Sequence, residues 1–135
     1  MEELTMAVEP VERRIEILRQ TVVALVRRDG PDLSARQFGV FLTSYLKEEA
    51  QTVRGLAAKL NVSKPAITRA LDRLSEFDLV RRKTDPLDRR SVLVQRTMAG
   101  AGFLRDIKKI LGEADKEAQR APSKARRAGA LVGAI

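Results

Sequence analysis

The stretch from Leu56 to Thr97, LAAKLNVSKPAITRALDRLSEFDLVRRKTDPLDRRSVLVQRT, decides how this chain of 135 residues folds. Just before it, Thr52 has the side chain of a helix N-cap, and Val53, Leu56, Ala57 and Leu60 then recur at helical spacing. Asn61 suits the turn that ends this short helix, because Asn tolerates left-handed backbone. Ser63 opens the next helix, and Pro65 is tolerated in its first turn. Ile67, Ala70, Leu71 and Leu74 form the buried stripe of that helix, while Pro65, Thr68, Arg69 and Asp72 point the other way. Leu79 to Lys83 reads as a strand, Thr84 to Arg90 as turn-forming, and Ser91 to Arg96 as a second, Val-rich strand.

Two short helices joined through Asn61-Val62 suggest a helix-turn-helix, in which the second helix enters a DNA major groove. The outward residues Ser63, Lys64, Pro65, Thr68, Arg69 and Arg73 are of types that suit phosphates and base edges. The competing reading is an ordinary solvated surface helix. A hairpin directly after a helix-turn-helix reads as the wing of a winged helix. The expected wing tip carries Arg89 and Arg90 on a narrow loop that can enter the minor groove. Asp88 is expected to hold Arg90 by a bidentate pair, or only to stabilise the turn, and both roles can hold together.

Outward from this stretch, Pro10 fits the first turn of a helix over about residues 10–28, with Val11, Ile15, Leu18, Val22, Leu25 and Val26 as its apolar face. Asp29-Gly30-Pro31 stops it. Ser34, with Gln37 three residues on, opens a helix whose stripe is Phe38, Phe41, Leu42, Tyr45 and Leu46. On the other side, Thr97 caps a long helix with Phe103, Leu104, Ile107, Ile110, Leu111 and Ala114 on one face, ended or kinked at Pro122. Residues 123–135 read as a short terminal helix or a frayed tail. The fold class is mainly α with a small β-hairpin wing: one domain in which residues 34–96 form the winged region, flanked by helices over 10–30 and 98–135.

The chain carries 26 Lys+Arg against 18 Asp+Glu, a net charge of +8 that calls for an acidic partner. The excess has an address. Residues 1–30 are net −1 and 31–62 net +1, whereas 63–96 and 97–135 are each +4. The densest run is Arg81 to Arg96, with six basic groups. There is no Cys and no His. This excludes disulfides, Cys/His zinc sites, thiol redox switches and His-based catalysis. Scattered carboxylates and the lack of a phosphate-cradling Gly loop argue against an enzyme. No cofactor or metal is expected. No apolar run reaches the ~18 residues of a membrane span, and the acidic start lacks a signal peptide's basic n-region. A cytoplasmic protein is expected.

Leu56 to Thr97 resembles the MarR family of bacterial transcriptional regulators. The likeness lies in LAxxLxVS before the second helix, then DRL, LVRR and DPxDRR, with Asp88-Arg89-Arg90 matching the family's wing Asp-x-Arg. It implies a homodimer whose first and last long helices interlock, each subunit offering a winged helix to double-stranded DNA at a pseudo-palindromic operator. It implies recognition-helix contacts from Ser63, Lys64, Pro65, Thr68, Arg69 and Arg73, and wing contacts from Arg82, Lys83, Asp88, Arg89 and Arg90. Family members sense small molecules, oxidants or metals. Without Cys or His, the options left are a small organic ligand, the main candidate, or no ligand at all; a pocket would draw on Arg14, Phe38, Phe41 and Tyr45 unless the aromatics are core. Two positions and one region depart from the pattern. Arg96 stands where the family often has Leu, and Asp78 where it often has Gly. The region from Ala125 to Gly129 is small and basic. The expected function is that of a repressor. The alternative is a winged-helix protein-interaction module without sequence-specific DNA binding.

Overall fold

The computed structural model describes residues 10–120, and the expectations for residues 121–135 lie outside that range. Five helices and a two-stranded hairpin follow one another: α1 Pro10–Arg27, α2 Ala35–Leu46, α3 Val53–Leu60, α4 Lys64–Glu76, β1 Val80–Asp85, β2 Asp88–Arg96 and α5 Met98–Arg120. This is the winged-helix order read from the sequence. The described chain divides into two compact units, residues 31–105 and residues 10–30 with 106–120.

Local chemistry fixes the helix ends of the winged unit. Ser34 and Gln37 form a reciprocal capping box at α2: the Gln37 amide donates to Ser34 Oγ at 3.1 Å, and the Ser34 amide to Gln37 Oε1 at 2.9 Å. Thr52 caps α3 by accepting from the Gly55 amide, and Ser63 caps α4 by accepting from the Ala66 amide. At the other ends, Asn61 and Asp78 both adopt left-handed backbone, with φ of 55° and 56°. Each completes a Schellman-type closure: Val62 N–H donates to Ala57 O, and Leu79 N–H to Leu74 O. Asp78 therefore performs the reversal for which glycine is the low-cost residue.

The core of this unit is built from Val40, Phe41, Leu56, Ile67, Leu71, Leu74 and Val80, all fully buried. The first two turns of α5 belong to it. Phe103 packs edge-on against Phe41 with centroids 5.2 Å apart, and Gly100 lies against the hydroxyl end of Tyr45. The Tyr45 hydroxyl donates to Leu79 O at 2.6 Å and accepts from the Thr97 amide at 2.9 Å. One side chain thus ties α2 to both ends of the hairpin.

The hairpin is longer than its sequence suggests. The strands pair antiparallel from Val80–Arg96 to Thr84–Val92, and then Asp85 pairs with Asp88. The turn is only Pro86-Leu87, because the Asp85 carboxylate accepts the Leu87 N–H at 2.9 Å. Arg89 and Arg90 consequently lie in β2 rather than on a loop. With Ser91 they are the extra residues of a bulge opposite Thr84–Asp85. At the base, Val94 N–H donates to Gln51 O and Thr52 bridges Leu93, so the segment before α3 adds a short third edge.

Arg96, the charged residue in an apolar position, caps a helix. Its guanidinium donates to Ser44 O at 2.9 Å and Lys47 O at 2.6 Å, at the carbonyl end of α2, and lies over the Tyr45 ring. A cation satisfies unpaired carbonyls and complements the dipole there.

In the other unit, Arg13 pairs with Asp115, and Arg28 with Asp106 at 3.0 Å, setting α1 antiparallel to the second part of α5. Thr21, Ile107, Ala114 and Ala118 are buried. The apolar stripe read from α1 faces the other way: Val11, Ile15, Leu18, Val22 and Val26 are exposed by 71, 59, 54, 49 and 64%.

Candidate nucleic-acid interface

The second helix of the helix-turn-helix, α4, presents two faces. Ala66, Ile67, Ala70, Leu71 and Leu74 are buried, which leaves Lys64, Pro65, Thr68, Arg69, Asp72 and Arg73 exposed, as their spacing requires. Ser63 is exposed too, but its hydroxyl already accepts the Ala66 amide as the helix cap. Its remaining donor is the O–H.

The cations of this surface fall into two classes. Arg73 donates to Glu76 at 3.0 Å and stacks over the Phe77 ring at 4.7 Å. Arg82, on β1, lies 2.7 Å from Asp72 on α4. Both of these arginines have internal partners. Lys64, Arg69, Lys83 and Arg89 are exposed and pair with no carboxylate among the described residues. A free guanidinium can form a bidentate pair with guanine, and a free ammonium can neutralise a phosphate.

The wing departs from expectation in one respect. Asp88 does not clamp Arg90 in a bidentate pair. Its Oδ1 accepts the Arg90 backbone N–H at 3.1 Å and stands 3.7 Å from Nε, while the Arg90 side chain is 90% exposed. Asp88 is spent on the backbone of the bulge, and this leaves the guanidinium extended. The turn-stabilising reading of Asp88 is the one that fits.

The ligand-pocket candidates separate. Phe41 is fully buried, and Tyr45, 8% exposed, commits its hydroxyl to Leu79 and Thr97. Both belong to the core of the winged unit. Phe38 is half-buried, 6.2 Å from Phe103 between ring centroids. Arg14 is exposed on α1, in the other compact unit. A shallow groove does open elsewhere, bordered by Ser34, Arg36, Gln37, Ala66, Arg69 and Ala70.

Sequence reasoning missed two features of the surface. Spacing places Asp72 on the outward face but does not reveal its ion pair with Arg82 of β1. Arg36 stands near Arg69 only because α2 packs against α4, and one helix pattern cannot reveal that. Among the described residues there is no cluster of acidic side chains able to hold a metal, and no helix is long and apolar enough to cross a membrane.

The model of the MarR family matches residues 33–92, from the start of α2 into the second strand of the wing. No curated protein matches the chain. Solved structures do. MarR from E. coli in its apo form is 25% identical with a TM-score of 0.59, over 94% of this chain and 97% of that one. A MepR mutant from a multidrug-resistant S. aureus clinical isolate gives 0.67 at 19% identity, over 91% and 90%. A transcriptional regulator from Thermotoga maritima gives 0.63 at 18%, over 91% and 82%.

Proposed function

We propose that this chain, whose residues 33–92 carry the winged helix of the MarR family, is a dimeric, sequence-specific DNA-binding repressor of transcription. The observation that carries the reading is the unpaired set Lys64, Arg69, Lys83 and Arg89 on two consecutive elements, a recognition helix and a wing. Lys64 and Arg69 would meet the major groove. Arg89 and Arg90 would meet the adjacent minor groove, whose negative potential favours Arg. The protein acts by binding, not by catalysis, in the cytoplasm where its operator lies.

The exposed stripe of α1 supports a homodimer. Five large apolar side chains in a row on one helix face are stable in water only when covered. Pairing of two copies about a two-fold axis covers both stripes and sets two winged helices on the half-sites of a pseudo-palindrome. The effector on this reading is a small organic molecule. With neither Cys nor His, the 135 residues hold no thiol for an oxidant and no usual ligand for zinc.

Selection from a pool of random-sequence duplexes tests the proposal. The expected product is an enriched pseudo-palindrome with half-sites about 10 base pairs apart. Enrichment of no sequence would favour a winged-helix protein-interaction module instead.

A further inference from the structure

Leu87 stands at the apex of the wing with 95% of its surface exposed, more than any other large apolar side chain among the described residues. A lone leucine on a mobile surface needs no explanation. This one is held in place. Pro86 fixes the backbone before it, the Asp85 carboxylate accepts its N–H at 2.9 Å, and the Asp85–Asp88 pairing closes the turn. Directly after it come Asp88, whose carboxylate fixes the Arg90 backbone, and the exposed guanidinium groups of Arg89 and Arg90. The tip is therefore an apolar point on a braced ribbon, followed at once by cations. A turn made only for solvent would favour Gly, Asn, Asp or Ser at that position.

We propose that Leu87 is an apolar wedge for the minor groove, with Pro86 as its backing. Its occupant is double-stranded DNA at a base step that opens readily, such as TA or CA/TG, where the leucine leaves water for the faces of partly unstacked bases. Arg89 and Arg90 bring the charge and Leu87 selects the deformable step. The inference rests on the DNA-binding reading above.

The test uses the full chain and the duplex enriched by the wild type from a random pool. Leu87→Ala should weaken binding about tenfold, the worth of removing one buried leucyl side chain from a contact. Its salt dependence should be unchanged, since no phosphate contact is lost. Leu87→Met should restore most of the affinity. Replacing the flexible step at the wing position by a stiff A-tract should weaken the wild type but not Leu87→Ala. Wild-type affinity for Leu87→Ala would overturn the wedge and leave the DNA-binding proposal standing. Failure of the wild type to enrich any duplex would overturn both. A matching loss on enriched and random duplexes alike would also overturn the wedge, because it would show no selection of a step.

Discussion

Arg82 on β1 lies 2.7 Å from Asp72 on α4, so a salt bridge joins the outward face of the second helix of the helix-turn-helix to the first strand of the hairpin. The two side chains are 31 and 54% exposed, and a pair in that setting contributes about 0.5–1 kcal/mol at most to stability. Its larger effect is on charge. Asp72 lies between Arg69 and Arg73 on a face proposed to meet phosphates, and Arg82 neutralises it.

Arg82→Ala should therefore weaken binding to the enriched duplex about tenfold, by exposing an uncompensated carboxylate to the DNA. Adding Asp72→Asn to that variant should recover most of the loss. Fluorescence anisotropy titrations of the four proteins in the cycle give the coupling. If the double variant binds no better than Arg82→Ala alone, Arg82 acts by touching DNA itself and the charge-neutralising role is wrong.

Arg69 and Arg73 are one helical turn apart and should behave differently. Arg69 has no internal partner, so Arg69→Ala should cost about 1–3 kcal/mol of specific binding and relax selectivity at one position of each half-site. Arg73 is held by Glu76 and by the Phe77 ring, so Arg73→Ala should cost less in binding and show in thermal stability. Affinities for the enriched duplex and its single-base variants check this. Equal losses would mean that Arg73 leaves its partners on binding.

Gly100 has no room for a side chain. A Cβ there would overlap both the Tyr45 hydroxyl and the Leu79 carbonyl oxygen. Gly100→Ala should destabilise the winged unit by about 2–3 kcal/mol in denaturant unfolding. Tyr45→Phe should not rescue it, because the Leu79 carbonyl is backbone and remains. Full rescue would place the conflict on the hydroxyl alone.

The α1 stripe gives a prediction about assembly. Ile15→Glu and Leu18→Glu introduce charge into a face that is already in water in the single chain, 59 and 54% exposed. Each should leave the helical content of the chain intact and shift sedimentation velocity from dimer to monomer. A dimer of unchanged stability would locate the subunit contact elsewhere.

What the sequence made legible was local. Ser34, Thr52 and Ser63 as caps and Asn61 as a left-handed turn residue each depend on atoms a few residues away, and each is found in that role. The cost expected at Asp78 is likewise visible in its φ of 56°. What failed depended on distance along the chain. Arg96 reads as a misplaced charge because its acceptors, Ser44 and Lys47, come 52 and 49 residues earlier. The role of Tyr45 in tying α2 to the hairpin is hidden in the same way, because its partners, Leu79 and Thr97, come 34 and 52 residues later. The tip of the hairpin misled for a different reason. Asp85, Pro86 and Asp88 are turn-prone by type, but the Asp85 side chain closes the turn in two residues and returns Asp88, Arg89 and Arg90 to the strand.

On the proposed function, two copies of this winged helix read the half-sites of one duplex. Genomic immunoprecipitation of the bound chain, followed by footprinting of the recovered sites, tests it most directly. The expected result is a shared pseudo-palindrome, with protection of two major-groove segments about one helical turn apart and of the minor groove beside each. Recovery of unrelated sequences with uniform, salt-labile protection would contradict it.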